Sequence, residues 1–210
     1  AARELTLTVN AGKTLTNSWK IWVYPRVAMP SSDDNVLYTK DLDSAAQARL
    51  SAGGKVVWMP DPSKTKGRKS VFHNHFWNPI MFAWPPMTMG CLMHDDMGMF
   101  ADFPTSYHTD WQWWDILEYA KVMELQDFPS GIVPFIQVID SFDSNRKLGI
   151  GFEASVCGGK LLVLAMDAEK DIDKRPAARQ LLRSIDKYVR GDGFAPSTVV
   201  DIEELQSLNE

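Results

Sequence analysis

Alternation of apolar and polar side chains near the start of the chain predicts two β-strands. The strand over residues 4–9 places leucine and valine on one face and threonine on the other. After a turn at 10–12, a second strand is predicted over 19–24, where Pro25 ends it. These strands are expected to pair as an antiparallel hairpin. We interpret residues 1–30 as the closing strand pair of a preceding β-sandwich.

The pattern changes after this hairpin and predicts a β-α-β unit. Val36–Thr39 is a short apolar strand, and Asp43 can cap a helix that runs to Leu50. The glycine pair Gly53–Gly54 ends that helix, and Lys55–Met59 forms the next strand. Because a helical crossover joins them, the two strands are expected to be parallel.

Three more strands and a long helix are predicted in the second half of the chain. The strands cover residues 133–139, 148–156 and 160–166, and the last two are joined at Gly158–Gly159 as a hairpin. Apolar residues at helical spacing over 178–189 predict an amphipathic helix.

These elements together predict the fold class. Residues 31–210 are expected to form one α/β domain, a three-layer sandwich with helices on both faces of the sheet. The sheet is expected to be mostly parallel, with one antiparallel hairpin.

The segment between these two halves is irregular. Residues 61–109 are rich in Pro, Met, His and Trp, and a stretch this long without regular elements is expected to cover a face or meet a neighbour. A helix is predicted from Thr109 or Asp110. One apolar stripe of this helix holds Trp111, Trp114 and Leu117, and the adjacent stripe holds Trp113, Ile116 and Ala120. Because the helix is apolar over a wide arc, it is expected to lie against the sheet.

Charge and composition narrow the range of partners. The chain has 210 residues and a formal net charge of −5, a balance that does not attract nucleic acid. No apolar run approaches the ~20 residues of a membrane helix, so no membrane partner is expected. Since the first strand starts at once, we expect the chain to be one part of a longer protein.

The sequence offers only weak candidates for a catalytic nucleophile or for metal ligands. Cys91 lacks the flanking glycines of a nucleophile elbow, and Cys157 lies in a predicted hairpin, so no catalytic residue is assigned. The histidines of His73–His75 and the His94–Asp96 run are interpreted as loop residues rather than metal ligands. Gly149–Gly151 lies within a strand, so no nucleotide or other cofactor is expected.

Tryptophan is the most unusual feature of the composition, since five of the eight tryptophans fall between Trp77 and Trp114. Indole faces stack on the C–H faces of sugars, although tryptophan at helical spacing also packs cores. Asp140 ends a strand, where α/β sheets bind ligands, but it could equally cap the next turn. The candidate carbohydrate contacts are Trp77, Asn78, Trp84, His108, Trp113 and Asp140.

Four sequence motifs stand out along the chain, namely FWNPIMF at 76–82, WQWW at 111–114, PFIQVID at 134–140 and RPAARQL at 175–181. Together they resemble the C-terminal region of bacterial glycoside hydrolase family 2 proteins of the β-galactosidase type. The resemblance implies a flavodoxin-like, glutamine-amidotransferase-like fold that has lost its nucleophile. In such proteins the glycosidic carboxylates lie on a separate upstream barrel.

The function implied by the resemblance is that of a non-catalytic C-terminal accessory domain in a carbohydrate-degrading hydrolase. Its role would be structural, in oligomerisation or at the substrate cleft. The partners implied are other domains of the same polypeptide, an oligosaccharide or a second copy, in a periplasmic or extracellular setting. Two alternatives stay open, a carbohydrate-binding module that uses exposed Trp and a small-molecule amidase or hydrolase.

Overall fold

The computed structural model describes residues 1–26, 28–72, 88–141 and 144–209. Within these ranges the chain forms ten strands, four α-helices and three 3-10 turns. The strands are β1 (Arg3–Ala11), β2 (Leu15–Val23), β3 (Val36–Thr39), β4 (Lys55–Trp58), β5 (Arg68–Lys69), β6 (Gly90–Met93), β7 (Lys121–Glu124), β8 (Ile136–Ile139), β9 (Leu148–Val156) and β10 (Gly159–Leu164). The helices are α1 (Ser44–Ser51), α2 (Trp114–Leu117), α3 (Pro176–Arg190) and α4 (Ile202–Gln206), and the 3-10 turns are Gly98–Phe100, Trp111–Trp113 and Ile172–Lys174.

The β-α-β unit forms as predicted. Helix α1 begins after Asp43, whose side chain accepts a hydrogen bond of 2.9 Å from the backbone N–H of Ala46. Gly53 follows the helix at φ +77°, a left-handed conformation that reverses the chain at low cost. Strands β3 and β4 then pair in parallel, with Val36 opposite Lys55.

The larger sheet is mixed. Strands run in the order β3, β4, β10 and β9, and the far edge of β9 pairs with β8, which pairs with β6. Strand β7 also pairs with the first residues of β9, and β5 pairs with β7. Among the strands described, the β3–β4 and β4–β10 ladders are parallel and the other five ladders of this sheet are antiparallel.

The expectation of a mostly parallel sheet is therefore wrong for the described strands. Parallel neighbours need a crossover of a dozen or more residues, usually a helix. Between β7 and β10 the described chain contains no helix, and α2 before them has only four residues. The strands of this half therefore return antiparallel.

The β9–β10 hairpin is confirmed, but its loop is displaced by one residue from the glycine pair predicted. The loop residues are Cys157 at φ +51° and Gly158 at φ +83°, and Val156 pairs with Gly159 across them. Two consecutive positive φ values are typical of the type I′ turn, whose twist matches that of the strands.

Helices cover both faces of the sheet. On one face, Val57 and Leu162 pack with Leu181 and Ile185 of α3. On the other face, Val56 and Leu161 belong to a cluster that includes residues of α1 and α4. Alternate residues of the central strands thus enter two separate cores, and the chain is a mixed α/β structure.

The N-terminal hairpin stands apart from this body as a separate two-stranded antiparallel sheet of β1 and β2. It is tied to the body at its base. The hydroxyl of Tyr24 donates a 2.6 Å hydrogen bond to Oε1 of Gln112, and its ring stacks on Phe103 at a centroid distance of 6.3 Å. None of the described helices is long and apolar enough to cross a membrane.

Candidate functional site

A groove opens at the carboxyl edge of the parallel strands. Its volume is about 700 Å³, and its lining includes the residues that follow β3, β4 and β10. Thr39 and Lys40 come from the first of these strand ends, Met59 from the second and Met166 from the third. Because parallel strands end at one edge, three loops converge there, which is where open α/β sheets bind ligands.

The groove combines an apolar floor with a charged rim. The apolar floor consists of Met29, Met59, Met166 and Ile172. At the rim, Nζ of Lys40 lies 2.6 Å from a carboxylate oxygen of Glu169. This ion pair raises the pKa of Lys40, chiefly through the hydrogen bond to Glu169. The residues described in its lining include no cysteine, serine or histidine.

A smaller cavity of about 300 Å³ adjoins the groove and shares Asp61, Asp167 and Lys170 with it. Asp167 organises the shared loop, since its Oδ1 accepts hydrogen bonds from the backbone N–H groups of Glu169 and Lys170 at 2.9 and 3.0 Å. The two cavities therefore share part of their lining, including residues of the loop after β10.

A second candidate surface is aromatic and lies around α2. Trp111 is 71% exposed, Trp114 is 55% exposed and Tyr107 is 65% exposed. The ring of Phe72 contacts Trp111 at a centroid distance of 5.4 Å. Bare indoles at i and i+3 are available to a ligand, and neither was among the sugar contacts predicted from the sequence. Sequence spacing alone could not show which of the clustered tryptophans face outward.

Trp113, predicted as a sugar contact, is instead a core side chain. It has no exposed surface, and its Nε1 donates a 2.9 Å hydrogen bond to Oγ1 of Thr105. Its ring meets Phe103 edge to face at 5.4 Å. Trp113 and Ile116 are buried as predicted, so no surface of Trp113 is left for a sugar ring. The adjacent predicted stripe is wrong at Trp111 and Trp114, because the helical part here is only one short turn and both indoles are exposed.

Of the other predicted sugar contacts, His108 lies among the described residues and three do not. His108 is exposed, with Nδ1 at 3.1 Å from the carbonyl oxygen of Thr109, and its ring meets Tyr107 at 4.9 Å. It therefore lies at the aromatic surface and stays a candidate. Trp77, Asn78 and Trp84 lie outside the described residues, as do His73 and His75.

Asp140 holds the turn that follows β8. Its carboxylate accepts hydrogen bonds from Nε and Nη2 of Arg146 at 2.8 and 2.9 Å, and from the backbone N–H of Ser141 at 2.8 Å. The Arg146 hydrogen bond holds the pKa of Asp140 far below its usual range. The side chain is only 2% exposed. This geometry favours the turn-capping interpretation over contact with a sugar.

Cys91 lies within β6, opposite Val138 of β8, and is 4% exposed. Burial raises the pKa of its thiol to about 12. Among the residues that the structure describes, no group of three or more His, Cys, Asp or Glu side chains is placed to hold a metal ion. His94 is placed instead with its Nε2 at 3.4 Å from Oε1 of Gln137.

Comparison with known families places most of this architecture in one group. A family model described as "Domain of unknown function (DUF8487)" matches residues 37–210. The chain belongs to this family. A comparison with curated proteins gave no match. The DUF8487 match covers the aromatic surface at Trp111 and Trp114, Cys91 and most of the groove lining, whereas Met29 of the groove and the β1–β2 hairpin lie outside it.

Proposed function

We propose that this chain is a non-catalytic accessory domain of a carbohydrate-degrading glycoside hydrolase similar to the β-galactosidases of family 2. The motifs at 76–82, 111–114, 134–140 and 175–181 carry that resemblance. Within the proposal, the parallel β3, β4 and β10 with helices on both faces are the part of a flavodoxin-like, glutamine-amidotransferase-like fold that this chain retains.

The observation that carries the proposal is the environment of Cys91. A nucleophilic cysteine needs an accessible thiolate beside a base or another positive group. Cys91 is buried in the middle of a strand pair, and burial raises the pKa of its thiol to about 12. In this setting the thiol is a small core side chain, which removes Cys91 as the nucleophile of the amidase alternative.

The proposed role follows from what the DUF8487 domain offers on its surface. The groove after β3, β4 and β10 and the aromatic surface at Trp111 and Trp114 are open to a neighbouring domain or to an oligosaccharide. The catalytic carboxylates would lie elsewhere in the polypeptide, and this chain would support that module or extend its cleft.

The test is an assay of two proteins on a chromogenic β-galactoside. One is the chain of 210 residues alone, and the other is the complete protein that its gene encodes. The proposal expects turnover by the complete protein and none above background by the chain alone. Turnover by the chain alone, or no glycosidase activity of any kind in the complete protein, would overturn it.

A second candidate function, carbohydrate binding, is favoured by the exposure of Trp111 and Trp114. Tryptophan fluorescence during an oligosaccharide titration tests it, because a sugar stacked on an exposed indole changes its emission. Trp111→Ala with Trp114→Ala is expected to abolish the change, whereas Trp58→Phe, at a buried indole, preserves it. The absence of any change at millimolar sugar would reject this candidate.

A further inference from the structure

One face of the β1–β2 hairpin is made almost entirely of apolar side chains. The register places Leu5 opposite Ile21 and Leu7 opposite Trp19, so side chains from both strands point the same way. Arg3 and Asn17 are the polar exceptions on this face. Its apolar members are Leu5, Leu7, Val9, Ala11, Leu15, Trp19, Ile21 and Val23, and we call it the hairpin apolar face.

This apolar face is bare. The exposed fractions of its large side chains run from 41% for Ile21 to 67% for Leu15. The opposite face carries the polar pairs, including the ion pair of Lys20 with Glu4 at 3.1 Å and the hydrogen bond between the hydroxyls of Thr8 and Ser18 at 3.0 Å.

The orientation of the hairpin leaves the apolar face turned away from the DUF8487 domain. The polar face lies nearer the body, since Trp22 on that face has its indole Nε1 buried and β2 contacts the 3-10 turn at 111–113. Glu4 and Lys20 also lie close enough to act on the carboxyl group of Asp110. The fold therefore directs the apolar side outward, the reverse of what a hairpin surrounded by water needs.

The hairpin apolar face is large enough to serve as a protein–protein interface. Seven large apolar side chains, each 41–67% exposed, lie side by side on this face. Contiguous apolar patches of roughly 300–600 Å² or more on a monomer often mark interaction sites. A face two strands wide and roughly 30 Å long also has the shape of a sheet surface. Two strands alone are marginally stable in water, so contacts with a partner on the apolar face would stabilise this hairpin.

We propose that the hairpin apolar face packs against the apolar face of a second β-sheet, which is supplied by a neighbouring domain of the same polypeptide and closes a β-sandwich. Face-to-face sheets pack about 10 Å apart through such alternating side chains. The family match begins at residue 37, so it does not cover the hairpin. The inference rests on the proposed function only in that the chain is one part of a larger hydrolase.

Hydrogen exchange of the hairpin amides tests this inference. Amides of residues 3–23 are expected to exchange at least tenfold more slowly in the complete protein encoded by the gene than in the isolated chain. Leu7→Thr with Trp19→Thr removes two facing apolar side chains but keeps residues that favour strands. In the complete protein this double variant is expected to lose the protection. Thr8→Val with Ser18→Thr, on the opposite face, is the matched control and should keep it.

The possible results distinguish between the partners that could cover the hairpin apolar face. Equal exchange in the complete protein and the isolated chain overturns the inference. Light scattering that finds the isolated chain dimeric, with the dimer dissociated by Leu7→Thr and Trp19→Thr but not by the control, assigns the face to a second copy and also overturns it. Glycosidase activity is measured separately, so missing activity with intact hairpin protection rejects the proposed function alone.

Discussion

The guanidinium group of Arg175 stacks over the ring of Tyr119, with its Cζ 4.0 Å from the ring centroid. The same group donates hydrogen bonds to the carbonyl oxygens of Asp167 at 2.6 Å and Lys170 at 3.1 Å. Arg175 is buried just before α3. It therefore joins the segment before β7 to the loop that walls both cavities.

Replacement of Arg175 is expected to loosen this wall. Arg175→Ala leaves several carbonyl oxygens without a donor, and the free energy of unfolding should fall by about 3 kcal/mol. Arg175→Lys should recover little of that loss, because an ammonium cannot both stack on the ring and reach two carbonyls. Urea denaturation measures both changes. Lys174→Ala is the control, since that side chain is 84% exposed and should change stability by less than about 0.5 kcal/mol.

Asp115 gives stability a pH dependence that can be measured. Burial raises the pKa of its carboxyl group to about 6, and the nearby charge of Arg175 offsets this only in part. A raised carboxyl pKa means that the folded state binds the proton more tightly, so this contribution to stability is lost as pH rises from about 4 through 6.

Asp115→Asn should remove that dependence. At pH 7 the variant is expected to be more stable than the parent chain by about 1–2 kcal/mol, and at pH 4 the two should be alike. Thermal unfolding at both pH values checks this, with Asp34→Asn at an exposed carboxylate as the control. A variant that is less stable than the parent at pH 7 would show that the charge of Asp115 stabilises the fold through Arg175.

Local sequence signals predicted much of this fold. Strand β3, the cap at Asp43, strand β9 and the amphipathic pattern of α3 agree with the structure because each depends on neighbours in the chain. Whether neighbouring strands run parallel or antiparallel could not be predicted from local signals. The pairing of β9 with β7 and β8 joins distant segments, and periodicity carries no information on which strands meet.

The candidate site shows the same division between local and distant information. Trp113 and Trp114 are adjacent and alike in chemistry, so composition alone could not show that one is buried and the other bare. Asp140 follows a strand, a position equally suited to a ligand or a turn, and only the fold brings Arg146 back onto its carboxylate. The groove is formed by the ends of three strands that are far apart in the chain, so local sequence patterns could not predict it.

Adjacent tryptophans should differ sharply in their contribution to stability. Trp113→Ala removes a wholly buried indole packed against Phe103 and should lower the free energy of unfolding by about 3–5 kcal/mol. Trp114→Ala removes a side chain that is 55% exposed and should cost about 1 kcal/mol or less. Denaturant titration of the two variants measures the difference. Equal losses would mean that the aromatic surface at Trp114 is covered in solution.

The turn between β9 and β10 offers a stabilising substitution. Cys157 adopts φ +51°, which costs energy for most residues with a side chain, whereas asparagine tolerates this region well. Cys157→Asn should therefore raise the free energy of unfolding by about 0.5–1 kcal/mol. Cys157→Val, with a β-branched side chain at the same exposed position, should lower it. If both substitutions act alike in thermal unfolding, the turn is not of type I′.

Asp140 should make the chain sensitive to acid. The hydrogen bonds from Arg146 and from the backbone N–H groups of Ser141 and Arg146 hold the pKa of its carboxyl group well below its usual value. A lowered carboxyl pKa contributes stability that is fully present above about pH 4 and is lost as pH falls below it.

Asp140→Asn should remove that contribution, because an amide cannot take the charge-assisted pairing with both nitrogens of Arg146. At pH 7 the variant is expected to lose about 2–3 kcal/mol of unfolding free energy, and the gap should narrow steadily below pH 4. Asp173→Asn is the matched control, since that carboxylate contacts Arg179 while 92% exposed, and it should change stability by less than about 0.5 kcal/mol. If Asp140→Asn were fully stable at pH 7 but lost oligosaccharide binding, Asp140 would belong to a sugar site, because a residue that only caps a turn affects binding through stability alone.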